Sequence, residues 1–362
     1  MTLLTRLGAD TVAIEQYTRT ASRIEGTVIA RSPSTTISRY AVDLGPNDVP
    51  THATFSITRG DGTPIPNVYP LEVHYRADSI VFTNHRPAGD TTRASPARGS
   101  LVPYANNSFA LYELGIARLR GAGRDSGDIT IVPMNFGART FSVFPVRLFA
   151  GDSARITWFG FPLLARYDRN TSLLGVDASR TTVKTRTDRV SGTDLVAMAK
   201  QWAAHDQAAG AMGQVSTRDT VKATLGGAHL WIDYGRPALR GRDVWVNGVL
   251  GDTLWRAGAN AATQFRTDAE VSIGGAAVPA GLYTLWIATN ASGQHHLVIN
   301  KQAGQWGTDY HADRDLVRVR MTESALAEPV ERYTIVARPR GSAGTISFQW
   351  GRKELSVPVS AK

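Results

Sequence analysis

The sequence predicts a mainly β protein: a curved antiparallel sheet or half-barrel domain with one helix, a helical connector, then a β-sandwich domain. Three observations carry that expectation. Short runs alternate apolar and polar residues, as strands with one core face must. Glycine pairs and Gly/Pro/Asn/Asp clusters separate those runs. Only two segments show helical spacing.

Taken in order, residues 37–44 form a β-rich run that ends in the turn residues Gly45-Pro46-Asn47-Asp48. Residues 52–58 place Ala53, Phe55 and Ile57 on one face and His52, Thr54, Ser56 and Thr58 on the other. Residues 71–76 set Leu71, Val73 and Tyr75 against Glu72, His74 and Arg76. A helix follows, with Asn107-Ser108 as its cap, Phe109, Leu111, Tyr112, Ile116 and Leu119 at helical spacing, and Gly121-Ala122-Gly123 as its stop. Strands are expected at 140–148, 154–159 and 181–187. Thr193-Asp194 then caps a second helix carrying Leu195, Met198, Ala199 and Trp202, in a segment that reads as an interdomain connector. Beyond it, 221–225 and 228–234 flank Gly226-Gly227, and 270–273 and 276–278 flank Gly274-Gly275. Both pairs suit tight primed turns, which need positive φ. Further strands are expected at 283–289, 296–300, 316–321, 332–337 and 345–349. The resulting division is a half-barrel-like domain at 1–192, a connector at 193–219 and a sandwich at 220–362.

Composition narrows the function. The 362 residues contain no cysteine, which excludes disulfides, zinc–thiolate sites, iron–sulfur clusters and cysteine nucleophiles. It also suits an oxidising compartment. The net charge of +9 comes mainly from arginines scattered singly through strand-like runs, so a basic surface is expected and no nucleic-acid partner. The longest uncharged apolar run, 156–165, is far short of the roughly 18 residues of a membrane span. The first residues do not resemble a signal peptide, so the expectation is a periplasmic or secreted protein whose signal has been removed. No G-x-S-x-G elbow, S-x-x-K pair or Walker loop occurs.

From about residue 221 onward one series of motifs stands out. Tyr234-Gly235-Arg236-Pro237 and Arg240-Gly241-Arg242 come first, then the run from Trp255-Arg256-Ala257-Gly258 to Thr263. Pro279-Ala280-Gly281-Leu282-Tyr283, Asn300, Gln305-Trp306-Gly307 with Tyr310, and Asp315-Leu316-Val317-Arg318-Val319 complete it. In order and spacing this part resembles the bacterial domain of unknown function 2911 family. The resemblance implies a β-rich domain of exported bacterial proteins and transfers no activity. The first 190 residues lie outside it and have only a vague likeness to lipid-binding or lipoprotein-carrier half-barrels.

The candidate ligand-binding residues are Arg236, Arg242, Trp255, Arg256, Asn260, Thr263, Trp306 and Tyr310. Aromatic faces for stacking and guanidinium forks are the inventory of a site for sugars or carboxylates. The alternative is structural: Arg256 paired with Asp315 to pin two loops, and Trp255 filling the core. His295 and His296 face opposite sides of a strand, and His229, His296 and His311 lack metal-ligand spacing, so neither metal nor cofactor is expected. His52 and the stripe Glu72, His74 and Arg76, on neighbouring strands, could supply a histidine–glutamate pair for acid–base chemistry if that face lined a lumen; facing water, they are ordinary surface. The expected function is binding of a small-molecule or oligosaccharide ligand. A hydrolase of unfamiliar type and a structural envelope protein are the alternatives.

Overall fold

A computed structural model describes residues 1–135, 137–138, 141–181, 183–245 and 254–362. It divides the chain into two compact units, Met1–Gly213 and Gln214–Lys362.

The first unit is one 15-stranded sheet. Its strands are β1 (Thr2–Leu7), β2 (Asp10–Arg19), β3 (Arg23–Ala30), β4 (Thr36–Leu44), β5 (Pro50–Arg59), β6 (Leu71–Tyr75), β7 (Ser79–Asn84) and β8 (Thr91–Pro96). The series continues with β9 (Leu101–Tyr104), β10 (Ser126–Pro133), β11 (Ser142–Phe149), β12 (Ser153–Trp158), β13 (Phe161–Tyr167), β14 (Leu173–Asp177) and β15 (Arg186–Val190). Consecutive strands pair as a meander, except that β8 and β9 are the two edges and β1 pairs with β15. The sheet is mixed, because β9 and β10 run parallel. A parallel pair needs a crossover, and helix α1 (Tyr112–Gly121) supplies it.

One core cluster joins α1 to inward residues of strands across the sheet, including Tyr17, Val42, Phe82, Ile131, Phe144, Ile156 and Leu173. One continuous core can gather residues from so many strands only if the sheet curves, with α1 on the concave side. The expected strand at 181–187 is displaced to β15. The Thr181 hydroxyl donates to the Ala178 carbonyl at 2.7 Å, and Ala178 N–H donates to Thr185, so the chain turns there first. Residues 140 and 182, within the expected strands, lie outside the described residues.

The expected side-chain cap of α1 is replaced. Ser108 donates to Glu15 of β2, and Asn107 takes a left-handed φ of 63°. Glu15 itself accepts the N–H groups of Phe109 at 2.8 Å and Ala110 at 3.1 Å, and the Tyr40 hydroxyl at 2.6 Å. Glu113, within α1 and fully buried, accepts Leu173 N–H at 2.6 Å, Arg19 at 3.3 Å and the Tyr17 hydroxyl. Helix α2 (Leu195–Ala209) is capped as expected: Asp194 accepts the N–H groups of Val196 and Ala197, each at 3.0 Å. Its Leu195, Ala199 and Trp202 pack on Ile14 and Ile29, on the face of the sheet opposite α1.

The second unit contains two antiparallel sheets. One orders β16 (Ser216–Leu225), β17 (Ala228–Pro237), β19 (Thr263–Thr267), β22 (Gly281–Thr289), β23 (His295–Asn300) and β24 (Asp315–Arg320), with β18 (Leu254–Trp255) on β22. The other orders β21 (Ala276–Val278), β20 (Val271–Ile273), β26 (Ala343–Ala361) and β25 (Thr322–Arg340). Ile232, Phe265 and Leu285 of the first share a core with Ile335, Phe348 and Val357 of the second, as in a sandwich. Gly274 and Gly275 both take positive φ, 59° and 87°, whereas at the 226–227 turn only Gly226 does, at 56°.

Two measurements test the buried glutamates. Glu15→Ala strands four donors in the core and should cost about 3–5 kcal/mol in urea denaturation, as when one partner of a buried charged contact is removed. Burial raises both glutamate pKa values above 4.5, offset in part by the donors around them. A raised acid contributes most below about 4.5, and that contribution is lost as pH rises through its folded value. Glu113→Gln should therefore lose less stability than the parent between acid and neutral pH.

Candidate functional site

The segment 255–263 is locked by backbone and packing. Trp255 is buried, stacked on Trp350 with centroids 5.6 Å apart, and meets Tyr333 edge-on at 4.8 Å. Ala257 and Asn260 take left-handed φ of 46° and 64°. Thr263 donates its hydroxyl to Ala257 O at 2.8 Å, closing the loop. Gly307 N–H donates to Asn260 O at 3.0 Å, and Ala261 bridges Trp306. Two glycines permit this approach: a Cβ on Gly235 would lie 2.1 Å from Ala259 O, and one on Gly307 would lie 1.8 Å from Arg256 Cδ.

The polar candidates bind the fold's own groups. Arg236 reaches Asp219 at 2.9 Å, Thr334 at 2.9 Å and Tyr333 O at 3.2 Å, joining β17 to β16 and β25. Arg242 donates to Leu239 O and Ala238 O at 2.8 and 2.5 Å. Arg256 contacts Gly307 O at 3.4 Å, and burial pulls its pKa down to about 10. The suggested Arg256–Asp315 pair is not formed. Asp315 instead takes Tyr310, Asn300 and Arg318, because the three already surround it at the β23–β24 junction. The structure thus brings Trp255, Arg256, Asn260, Thr263 and Trp306 together in one loop contact, with Trp306 57% exposed. Arg236, Arg242 and Tyr310 hold neighbouring strands and turns.

A different surface of the same unit carries an outward row of cationic and aromatic side chains. Register places Lys222 of β16, Trp231 of β17, Arg266 of β19 and Leu282 of β22 in one row across four strands. They line a groove of about 930 Å³ together with His229, whose Nδ1 lies 2.8 Å from Asp268. Leu230, Ile232 and Tyr234 fill the core, so Trp231 sits in the outward phase of its strand. That phase is the signal in the sequence: a tryptophan where alternation calls for a polar residue.

His295 meets Thr289 at 2.8 Å and Glu323 at 3.3 Å, and His311 meets Asp309 at 3.2 Å. In the first unit, His52, Glu72 and His74 lie on the outer face, opposite the core, rather than in a lumen. Arg76 closes the β6–β7 turn through its N–H to Ser79 O at 2.9 Å.

Residues 216–359 match the family described as "Protein of unknown function (DUF2911)", so the second unit carries that family's domain. No curated protein matches the chain. Among solved structures, a DUF1089 family protein from Pseudomonas aeruginosa is similar with a TM-score of 0.35 and 12% identity, over 46% of this chain and 90% of that one.

The close approach at Gly235 is testable. Gly235→Ala should destabilise the chain by about 2–3 kcal/mol, because backbone atoms of Ala259 must move to admit the methyl. Gly227→Ala, where a Cβ meets nothing within 4 Å and φ is not positive, should stay within about 0.5 kcal/mol of the parent. Urea midpoints compare the two.

Proposed function

We propose that the protein binds an acidic oligosaccharide outside the cytoplasm, on the outer face of the second unit's larger sheet. The observation that carries this reading is the row Lys222–Trp231–Arg266. An indole face stacks on the C–H face of a sugar ring, and its half-exposed position leaves that face to a ligand. A cation flanks it on either strand, and among the described residues neither the Lys222 ammonium nor the Arg266 guanidinium has a hydrogen-bond or ion-pair partner. Neighbouring strands are about 4.8 Å apart, so the two cations sit on strands about 10 Å apart, with Trp231 midway. Carboxylates on a sugar chain crossing the strands meet both charges, and guanidinium offers them two parallel donors. The absence of cysteine supports an oxidising location.

Titration calorimetry with oligogalacturonate, beside neutral dextran of equal length, tests the reading. Binding should favour the uronate and weaken as salt is raised, since exposed charges are screened. Trp231→Ala should cost at least about 1.4 kcal/mol, a factor of ten. Equal binding of the neutral chain, or uronate binding untouched by Trp231→Ala, would sink the proposal.

A further inference from the structure

Three histidine rings face one carboxylate on the outer side of the first unit's sheet. Register sets Asp43 of β4 opposite His52 of β5, and His52 opposite His74 of β6. Glu72 and His74 are two residues apart on β6 and so share that face. His52 Nε2 lies 2.9 Å and His74 Nε2 3.2 Å from Glu72 Oε1, while His85 Nε2 lies 3.5 Å from Oε2. Two of these rings are held from behind. His52 Nδ1 meets Asp43 at 2.9 Å, and His85 Nδ1 meets Asp90 at 3.0 Å. Arg23 in turn ion-pairs with Asp43.

An ionised carboxylate only accepts hydrogen bonds, so His52 sits between two acceptors. In the tautomer whose Nδ1–H donates to Asp43, the Nε2 lone pair points towards Glu72. That arrangement is favourable when a cation lies between lone pair and carboxylate. A carboxylate behind an imidazole is also the arrangement that fixes metal-binding histidines.

We propose that His52, His74 and Glu72 bind a divalent transition-metal ion, with zinc as the first choice. Among the described residues they are the one His/Cys/Asp/Glu group whose ligand atoms all lie within 4.8 Å of one another. The separations of 2.9 and 3.2 Å are close to the roughly 3.3 Å between ligand atoms of a tetrahedral ion with bonds of about 2.0–2.1 Å. Two imidazoles and one carboxylate suit zinc, nickel or copper, whereas calcium and magnesium favour all-oxygen sets. Three protein ligands leave a fourth position for water. Beside it runs a groove of about 950 Å³ that Glu72, His85, Thr54 and Arg39 line. Asp43 and His85 are positioning residues, acting through His52 and Glu72.

The test is calorimetric titration of the whole, chelator-stripped chain with zinc chloride. One equivalent should bind. His52→Ala and His74→Ala should each weaken binding roughly a hundredfold, Asp43→Asn about 10–100-fold, and His311→Ala not at all. Cobalt(II) in place of zinc should give the intense visible bands of a tetrahedral site, lost in His74→Ala. Circular dichroism checks that each variant is folded. Absence of zinc binding, or binding that survives both His52→Ala and His74→Ala, overturns the proposal and leaves the cluster an ion-pair network.

Discussion

The first unit depends on two carboxylates buried where carboxylates are costly. Glu15 and Glu113 lie between the sheet and the segment that leads into and begins α1, where Glu15 takes the Tyr40 hydroxyl and the Phe109 N–H, and Glu113 takes the Leu173 N–H, all buried. The turn that leads into a helix inside a curved sheet is buried, so its N–H groups need an acceptor from the sheet. Glu15 is that acceptor, for Phe109 and Ala110, whose carbonyls in turn accept the first N–H groups of α1. Glu113 secures the body of the same helix to Tyr17 and Arg19, and Arg19 passes the connection to Asp48 at 2.9 Å. The curvature, the core and the crossover between β9 and β10 all follow from keeping that one helix in place.

In the second unit, space rather than charge is the constraint. The loop 257–260 lies against a strand at Gly235 and against a second loop at Gly307, so near that neither position admits a side chain. Trp255, Tyr333 and Trp350 then close on each other in mutual edge and face contacts. The arginines nearby saturate carbonyls and one carboxylate. Groups that look like the furniture of a binding pocket thus hold the sandwich together, while the outward row around Trp231 is left to solvent.

Local pattern made much of this legible. The alternation at 52–58 and 71–76 assigns faces correctly, so the meeting of His52 with Glu72 and His74 follows from it. Asp194 as a helix cap and the paired glycines at 274–275 are equally local. What alternation does not reveal is partners distant in the chain. Nothing beside Glu15 in β2 announces that its acceptors serve the turn into a helix nearly a hundred residues later. The packing of Trp202 on Ile14 and Ile29 is hidden for the same reason. Ligand geometry is hidden further still, because the three rings converge only through the register of β5, β6 and the turn after β7.

The pairing of β1 with β15 sets an order of events. Thr5 and Thr187 share a hydrogen bond of 2.9 Å across 182 residues, and the register there runs from Thr2↔Val190 to Arg6↔Arg186. During synthesis the first strand can fold against β2 at once, but its other edge stays bare until residue 190 clears the ribosome. At about 5–20 residues per second that delay is on the order of ten seconds or more. Throughout it the sheet has an unpaired edge that nascent neighbours can join, and only the arrival of the fifteenth strand removes it.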